Sequence, residues 1–198
     1  MNEPLGIILA GGQATRMGGG DKCLLPLGGR PMLVRIIDRI EGQVAGLAIN
    51  ANGDAARFAG YGLPVRADSI DGYAGPLAGV LSGLDWAHEM GASHVVSVAG
   101  DTPFFPRDLV VRLGRAADRA NTAIALAGTH EGGRSHRHPT FGLWPVSLRD
   151  DLRRALNGGL RKVVMWTDAH GAATAPFDDN AFFNINTPDD LARAEDML

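Results

Sequence analysis

The stretch GIILAGGQATRMGGGDKCLLPLGG, residues 6–29, joins an apolar run to a glycine-rich loop that carries one arginine and one lysine. The apolar run, residues 5–10, is short and is followed directly by glycines, which is typical of a buried strand that ends in a turn. Glycine lets backbone amides approach an anion closely, and Arg16 and Lys22 supply positive charge. The stretch therefore predicts a strand that leads into a phosphate-binding loop.

Two common phosphate-binding motifs do not match this loop. A P-loop has glycine directly before its lysine and serine or threonine after it, whereas Asp21 precedes Lys22 and Cys23 follows it. The dinucleotide pattern G-x-G-x-x-G is absent as well. On the residues alone, a flexible loop with two solvated cations remains the alternative to a phosphate cradle of another kind.

The rest of the chain alternates between strand-like and helix-like patterns. Short runs rich in Ile and Val predict strands, and apolar residues at helical spacing predict helices. The predicted strands are residues 5–10, 46–50, 93–99, 122–127 and 140–143, and the predicted helices are residues 32–40, 77–90 and 106–117, with Pro106 in the first helical turn. Thr187, followed by Pro188 and two aspartates, predicts the start of a further helix. This alternation predicts an α/β fold, a Rossmann-like and mostly parallel sheet with helices on both faces.

Composition and charge narrow the class of protein. The chain has 198 residues, 45% of them hydrophobic and 21% charged, and we expect one globular domain over residues 1–198. The net charge of −3 gives no sign of a nucleic-acid or acidic-membrane surface, and the early apolar run is too short for a signal peptide or a membrane span. A single cysteine, Cys23, rules out an internal disulfide. We expect a cytoplasmic protein with no nucleic-acid or membrane partner.

Polar side chains follow the predicted strands, at the edge where a parallel sheet binds ligands. Asp101 comes directly after residues 93–99. A carboxylate there suits Mg²⁺, which takes one or two protein carboxylates and completes its shell with phosphate oxygens and water. Asn50 ends residues 46–50, and Asp68 follows a short run, so both are placed to contact a base or a ribose. Each of these residue types alone also forms turns, and that structural alternative stays open.

Four motifs carry a resemblance that covers residues 5–191. They are LAGGQATRMGGGDK at 9–22, GPLAG at 75–79, GDTPF at 100–104 and NINTPDDL at 184–191. In this order they resemble the molybdenum cofactor guanylyltransferase family, within the nucleotidyltransferase fold. The resemblance implies transfer of GMP from Mg-GTP to the terminal phosphate of molybdopterin or its molybdenum-loaded form, with release of pyrophosphate. GTP and molybdopterin are the implied ligands, Mg²⁺ the implied cofactor, and molybdoenzyme apoproteins or cofactor chaperones the implied transient partners.

The resemblance also implies roles for individual residues. By this resemblance, GTP receives backbone contacts from Leu9, Ala10, Gly11 and Gly12, its phosphates are neutralised by Arg16 and Lys22, and its nucleoside side is lined by Asn50 and Asp68. Asp101 holds Mg²⁺ and contacts GTP, and the reaction also involves Asn184 and Asn186. The pterin side is formed by Gly75, Pro76, Gly79 and His138. Residues 129–138 match no pattern of the family. We interpret His136 and His138 as part of a solvated loop, because an H-x-H spacing alone does not make a zinc site.

Two other classes of protein stay open at this point. One is a different nucleotidyltransferase, either a cytidylyltransferase that makes the CMP form of the same cofactor or an enzyme that acts on a sugar or polyol phosphate. Cytidylyltransferases of this kind usually have LAAG where this chain has LAGG, and the small Gly12 suits a purine base. The other class is a non-catalytic nucleotide- or pterin-binding partner, which the presence of both Lys22 and Asp101 disfavours.

Overall fold

The computed structural model describes residues 3–11, 20–70, 72, 75–131, 134–160 and 162–198. The strands are β1 (Leu5–Leu9), β2 (Pro26–Leu27), β3 (Arg30–Pro31), β4 (Gly46–Asn50), β5 (Val65–Arg66), β6 (His94–Ala99), β7 (Ala125–Glu131), β8 (Arg134–Pro145) and β9 (Ala173–Phe177). The helices are α1 (Met32–Ile40), α2 (Pro76–Glu89), α3 (Leu109–Ala120), α4 (Arg149–Asn157), α5 (Val163–Ala169) and α6 (Pro188–Glu195). Within the described ranges no helix combines the length and the apolar character needed to cross a lipid bilayer.

Seven strands form one sheet in the order β5-β4-β1-β6-β8-β7-β9, and β2 pairs with β3 in a small separate ribbon. β1 runs parallel to both β4 and β6, β4 runs parallel to β5, and β7 runs parallel to β9. β8 is antiparallel to both of its neighbours, β6 and β7. The sheet is thus mostly parallel, which confirms the predicted α/β fold.

The core is divided between the two faces of this sheet because successive strand residues point to opposite sides. Ile8 and Ile49 pack on the side that also buries residues of α1, α3 and α6. Ile7 and Ala48, one position earlier in each strand, pack on the side covered by α2, α4 and α5. All four side chains are fully buried. Helices therefore cover both faces, as the alternating pattern predicts.

Several predicted boundaries are close to those observed, and the starts of one helix and one strand differ for physical reasons. The predicted helix over residues 106–117 begins later, at Leu109, because Pro106 lies in a preceding turn whose carbonyl accepts the Leu109 amide at 3.3 Å. The strand predicted from residue 122 begins at Ala125. Thr122 instead completes the end of α3, where its amide donates to the carbonyl of Ala117 at 3.0 Å.

The interpretation of residues 129–138 as a solvated loop is wrong. Residues 129–131 and 134–138 belong to β7 and β8, which run antiparallel, with Thr129 opposite His136 and Ala127 opposite His138. β8 extends over twelve residues, far beyond the predicted 140–143. The hairpin is not evident in the sequence because residues 128–131 and 134–138 are mostly polar and show no apolar alternation.

Candidate functional site

The candidate site lies where the carboxyl ends of β1, β4 and β6 meet. Leu9 is in register with Asn50 on one side and with Ala99 on the other. The chain leaves β1 over one face of the sheet through α1 and reaches β6 over the other face through α2. Such a reversal opens a crevice at the strand ends, where ligands of open α/β sheets bind. The predicted GTP contacts at these strand ends are therefore brought together.

Backbone hydrogen bonds fix the chain just beyond β1. The amide of Ala10 donates to the carbonyl of Asn50 at 2.9 Å, and the amide of Gly100 donates to the carbonyl of Leu9 at 3.0 Å. A side chain at Gly100 would begin 2.9 Å from that carbonyl oxygen, so only glycine fits this approach. Because the Ala10 amide already donates to Asn50, the predicted backbone hydrogen bond from Ala10 to a nucleotide would involve its carbonyl. Gly11 is exposed at the crevice, whereas the predicted contacts Gly12 and Arg16 lie outside the described residues.

A cluster of three side chains, Lys22, Asp101 and Asn186, joins three distant segments at this crevice. The Lys22 Nζ donates to Asp101 Oδ2 at 2.9 Å and to Asn186 Oδ1 at 2.7 Å. The side chains of Lys22 and Asp101 are 12% and 23% exposed, so solvent screens this pair less than a surface pair. The amide of Ile185 donates to the carbonyl of Asp101 at 2.9 Å, which ties the NINTP segment to the end of β6.

The start of α6 positions Asn186. The amides of Asn186 and Thr187 both donate to Asp190 Oδ2 at 3.0 Å, and the Asp190 amide donates to Thr187 Oγ1 at 3.1 Å. This is a capping box, and it confirms the helix start predicted from Thr187 and Pro188. The bond from the Asn186 amide, followed by those from Thr187, lowers the pKa of Asp190 below its ordinary value. The hydrogen bonds that cap α6 therefore also hold Asn186 in place.

Asn184 is placed differently from Asn186. It is exposed, and its neighbour Ile185 is fully buried between the two asparagines. Among the described residues no hydrogen bond connects the Asn184 side chain to the cluster of Lys22, Asp101 and Asn186. A role for Asn184 in the reaction stays a prediction from the family resemblance.

The donor set of the cluster fits a hard divalent cation. Asp101 Oδ2 and Asn186 Oδ1 converge on one point, the Lys22 ammonium, within 2.9 Å. Carboxylate and amide oxygens are ligands of Mg²⁺, which usually keeps few protein ligands and binds substrate phosphates as well. The described residues contain no group of three or more His, Cys, Asp or Glu side chains arranged to hold a metal ion. Asp101 and Asn186 are thus the residues that could hold such an ion.

A second polar cluster lies at the end of β4. The Asn50 side-chain amide donates to Asp68 Oδ1 at 2.9 Å, and that of Asn52 donates to Asp68 Oδ2 at 2.8 Å. The Asp68 amide in turn donates to Asn52 Oδ1 at 2.8 Å. Sequence reasoning found Asn50 and Asp68 but missed Asn52. The signal was available, because residues two apart in an extended segment point to the same side.

Glycine in the GPLAG motif lets α2 approach these strand ends. A Cβ at Gly79 would begin 2.2 Å from Asn50 Oδ1 and 2.8 Å from Leu9 Cδ2. Gly75 and Pro76 form the N-cap and the first residue of α2. The structure therefore places Gly79 directly against two of the predicted GTP contacts, while its assignment to the pterin side stays a prediction.

His138 is half-buried and Cys23 is buried. Neither has the exposure of a metal ligand or a nucleophile in an open site. A ring nitrogen of His138 hydrogen-bonds Thr129 Oγ1 at 2.9 Å, and the imidazole packs against Phe182 with ring centroids 4.5 Å apart. Burial lowers the pKa of His138, so the ring is neutral at physiological pH. Burial also raises the pKa of the Cys23 thiol to about 12. Cys23 is thus protonated and packs as a small apolar side chain.

Comparison with known proteins supports the family resemblance found in the sequence. Residues 6–172 match the family described as MobA-like NTP transferase domain. The chain is 50% identical over 196 residues to a molybdenum cofactor guanylyltransferase from Bradyrhizobium sp. strain ORS 278, covering 96% of this chain and 91% of that protein. It is 52% identical over 194 residues to one from Cereibacter sphaeroides, covering 98% and 96% of the two chains.

Solved structures of similar fold include one of a molybdopterin-guanine dinucleotide biosynthesis protein A from Archaeoglobus fulgidus, with a TM-score of 0.76, 23% identity and coverage of 98% and 97%. The 2-C-methyl-D-erythritol 4-phosphate cytidylyltransferase from Thermus thermophilus has a TM-score of 0.75 at 24% identity, with 98% of each chain covered. At such identities the likeness shows the fold alone. Taken with the full-length relatives at about half identity, the fold and the matched motifs place this chain in the molybdenum cofactor guanylyltransferase family of nucleotidyltransferases.

Proposed function

We propose that this protein transfers GMP from GTP to the terminal phosphate of molybdopterin, or of its molybdenum-loaded form, and releases pyrophosphate. The observation that carries the proposal is the convergence of Lys22, Asp101 and Asn186 at the carboxyl ends of β1 and β6. These groups bring one ammonium and two side-chain oxygens together at the position where this fold binds ligands. Membership of the guanylyltransferase family supports guanine as the base and molybdopterin as the acceptor.

The chemistry of the proposed reaction matches the side chains in the crevice. The acceptor phosphate is anionic at neutral pH, so attack on the α-phosphorus needs no strong general base. Catalysis then depends on alignment for in-line attack and on stabilising the charge of the leaving pyrophosphate. In this scheme Lys22 neutralises phosphate oxygens, and Arg16, which lies outside the described residues, takes the same role by the family resemblance. The protonated Cys23 thiol has no part in this scheme.

Asp101 and Asn186 would hold Mg²⁺ through the two oxygens that accept from Lys22 in this structure, while Lys22 would donate to phosphate oxygens instead. Bound there, the ion would screen the repulsion between the triphosphate and the anionic acceptor. The chain's own contribution is to keep both oxygens fixed. Asp101 does so at the end of β6, where Thr102 Oγ1 also donates to its Oδ1 at 3.2 Å, and Asn186 does so through the capping box of α6.

The nucleoside is assigned to the cluster of Asn50, Asn52 and Asp68. Each oxygen of the Asp68 carboxylate accepts one asparagine N–H, and a carboxylate has about four acceptor positions, so two remain for a ligand. Guanine presents N1–H and N2–H donors on one edge. Asp68 can therefore accept from guanine while the two asparagines hold it in place.

The proposal is tested by incubating the purified protein with Mg²⁺, GTP and molybdopterin. We expect pyrophosphate release that depends on molybdopterin, together with a guanine dinucleotide product detected by mass spectrometry. Asp101→Asn should lower kcat by about a hundredfold or more, because a neutral amide cannot supply the charge of the carboxylate. Its melting temperature should stay near that of the parent, because the asparagine oxygen can still accept from the Lys22 ammonium, which also keeps its bond to Asn186.

Asp38→Asn is the matched control, because Asp38 also accepts an ion-pair contact at 2.9 Å, from Arg30, but on the exposed side of α1. It should leave kcat unchanged. Release of inorganic phosphate rather than pyrophosphate, or pyrophosphate release that is independent of the acceptor, would contradict the proposal. A folded Asp101→Asn variant with parental kcat would overturn the assignment of Asp101.

A further inference from the structure

The guanidinium of Arg57 holds Asp21, the residue directly before Lys22. Arg57 Nε donates to Asp21 Oδ2 at 2.5 Å, and Nη2 lies 3.3 Å from Asp21 Oδ1, so the two groups meet as a fork. The side chains are 28% and 20% exposed. The Arg57 Cζ also lies 4.6 Å from the ring centroid of the fully buried Phe58. The contact therefore spans 36 positions of sequence and has one fixed geometry.

The same guanidinium is bound to the segment that follows β4. Its Nη2 donates to the carbonyl of Asn52 at 2.6 Å, and its Nη1 donates to the carbonyl of Asp54. The side chain of Asn52 exchanges two hydrogen bonds with Asp68, each of 2.8 Å. Arg57 is thus attached by one side to the segment that carries Lys22 and by the other to the residue that orients Asp68.

We propose that Arg57 is a positioning residue that sets the distance between the phosphate side of the site, at Lys22, and the nucleoside side, at Asp68. The inference rests on the proposed function, since it takes Lys22 and Asp68 as contacts to opposite ends of one GTP molecule. A nucleotide bound at both ends needs these groups at a fixed separation, and misplacement by about 1 Å can cost a hundredfold in rate.

The contacts distinguish this role from direct binding of phosphate by Arg57. Four hydrogen bonds to protein oxygens already engage its N–H groups, out of the five that a guanidinium carries. Asp21 also neutralises its charge. A lysine would keep the charge but lose the fork and the contacts to the two carbonyls. The geometry of the arginine, rather than its charge, is what this position uses.

The test compares Arg57→Gln, Arg57→Lys, Asp21→Asn and the double variant Asp21→Asn/Arg57→Gln in the pyrophosphate-release assay. We expect KM for GTP to rise about tenfold or more in each single variant, with KM for molybdopterin unchanged. The double variant should be no worse than Arg57→Gln, because Arg57→Gln already breaks the Arg57–Asp21 contact that Asp21→Asn would remove. A purely structural defect would lower the amount of active enzyme and leave KM for GTP at the parental value.

Arg112→Gln is the matched control. Arg112 is exposed to a similar extent, 32%, pairs with Asp108 at 3.8 Å, donates to the carbonyl of Pro176 and lies 4.1 Å from the ring centroid of Phe177, but it belongs to α3. It should leave KM for GTP unchanged. Parental KM in Arg57→Gln, or full rescue by Arg57→Lys, would overturn the proposal. An additive loss in the double variant would instead indicate that Arg57 contacts the substrate itself.

A second readout does not depend on turnover. The amides of Leu24 and Leu25 donate to the carbonyls of Asp21 and Lys22 at 3.1 and 3.2 Å, in the turn that Arg57 holds. Hydrogen exchange of a peptide over residues 20–25 should be severalfold faster in Arg57→Gln than in the parent and unchanged in Arg112→Gln. Unchanged exchange would overturn the positioning role. A parent protein that fails to release pyrophosphate would contradict the proposed function and leave the exchange result to decide on Arg57.

Discussion

At the scale of single residues, Gly79 lets α2 lie close to Asn50 and Leu9, at the proposed nucleoside side of the site. Its missing side chain leaves room for Asn50 Oδ1 and Leu9 Cδ2, which lie 2.2 and 2.8 Å from where a Cβ would begin. Asn50 cannot move aside without losing its bonds to Asp68 Oδ1 and to the carbonyl of Arg66. A methyl group at position 79 must therefore displace either α2 or Asn50.

Gly79→Ala should weaken GTP binding and lower stability. We expect the Kd for GTP to rise about tenfold and the free energy of unfolding to fall by about 1–3 kcal/mol, the usual cost of inserting an extra methyl group into a packed interior. Calorimetric titration with GTP and denaturant unfolding give the two values. The reason is steric, so a longer side chain at position 79 should be worse than alanine.

Gly114→Ala is the control for this prediction. Gly114 is also a helix glycine, in α3, but apart from its own neighbours and the adjacent helix backbone no described atom lies within 4 Å of where its Cβ would begin. Alanine there should raise stability by about 0.5–1 kcal/mol and leave GTP binding unchanged. Equal effects of the two substitutions on GTP binding would contradict a specific role for the space beside Asn50.

Sequence reasoning located some site residues and missed others for a physical reason. Asp101 lies just past a predicted strand, and Lys22 lies in the glycine-rich loop that follows another, so strand ends and glycine content together identified them. Arg57 follows no strand directly, and its partner Asp21 lies 36 positions earlier. A local sequence pattern does not indicate a contact between residues 36 positions apart, so only the folded structure reveals this one.

At the scale of elements, the start of α6 links helix stability to the placement of Asn186. Asp190 accepts the amides of both Asn186 and Thr187, and these bonds lower its pKa. A carboxyl group whose pKa is lowered on folding stabilises the folded protein above the pKa of its unfolded form, about pH 4. That stabilisation is lost as the pH falls through the lower pKa of the folded form.

Asp190→Asn should therefore be less stable than the parent at neutral pH and should lose less stability in acid. We expect the difference in the free energy of unfolding between the two proteins to be constant above about pH 5 and to shrink steadily below about pH 4. Denaturant unfolding measured between pH 2 and 7 checks this, over a range that extends about two units below that unfolded-state value. A difference that does not change with pH would contradict the role of the carboxylate charge in the cap.

The elements that were predicted well are those whose packing against neighbouring elements requires a regular pattern of apolar residues. β4 and α1 match their predicted bounds, because both pack against the core along their whole length. β7 and β8 do not, since their residues beyond Ala127 and before Thr140 are mostly polar and show no apolar alternation. The dipeptide Gly132-Gly133, which lies outside the described residues, is a typical hairpin signal and was the available clue.

At the scale of the whole molecule, the fold fixes where the reaction can occur but does not choose the base. The alternation of strands and helices predicted the mostly parallel sheet, and the sheet order places the crevice at β1. A cytidylyltransferase from Thermus thermophilus shares this fold. We therefore expect guanine to be selected by the side chains at the strand ends, where Asp68 and its asparagine partners are the proposed contacts.

Nucleotide preference follows from the acceptor character of Asp68. Guanine donates from N1 and N2, whereas adenine presents an acceptor at N1, and a pyrimidine offers less area to the crevice. Each buried group that loses its partner costs roughly 1–3 kcal/mol, and 1.36 kcal/mol corresponds to about tenfold in rate. Two mismatches therefore predict discrimination against ATP of about two decades or more.

The measurement that tests guanylyl transfer most directly is kcat/KM for GTP, CTP, ATP and UTP, with molybdopterin as the acceptor and pyrophosphate as the measured product. We predict that GTP ranks first by at least about tenfold and that ATP is poor. Asp68→Asn should reduce this preference, because an amide offers one acceptor oxygen in place of two. A kcat/KM that is highest for CTP would contradict the assignment of guanine and indicate cytidylyl transfer on the same fold.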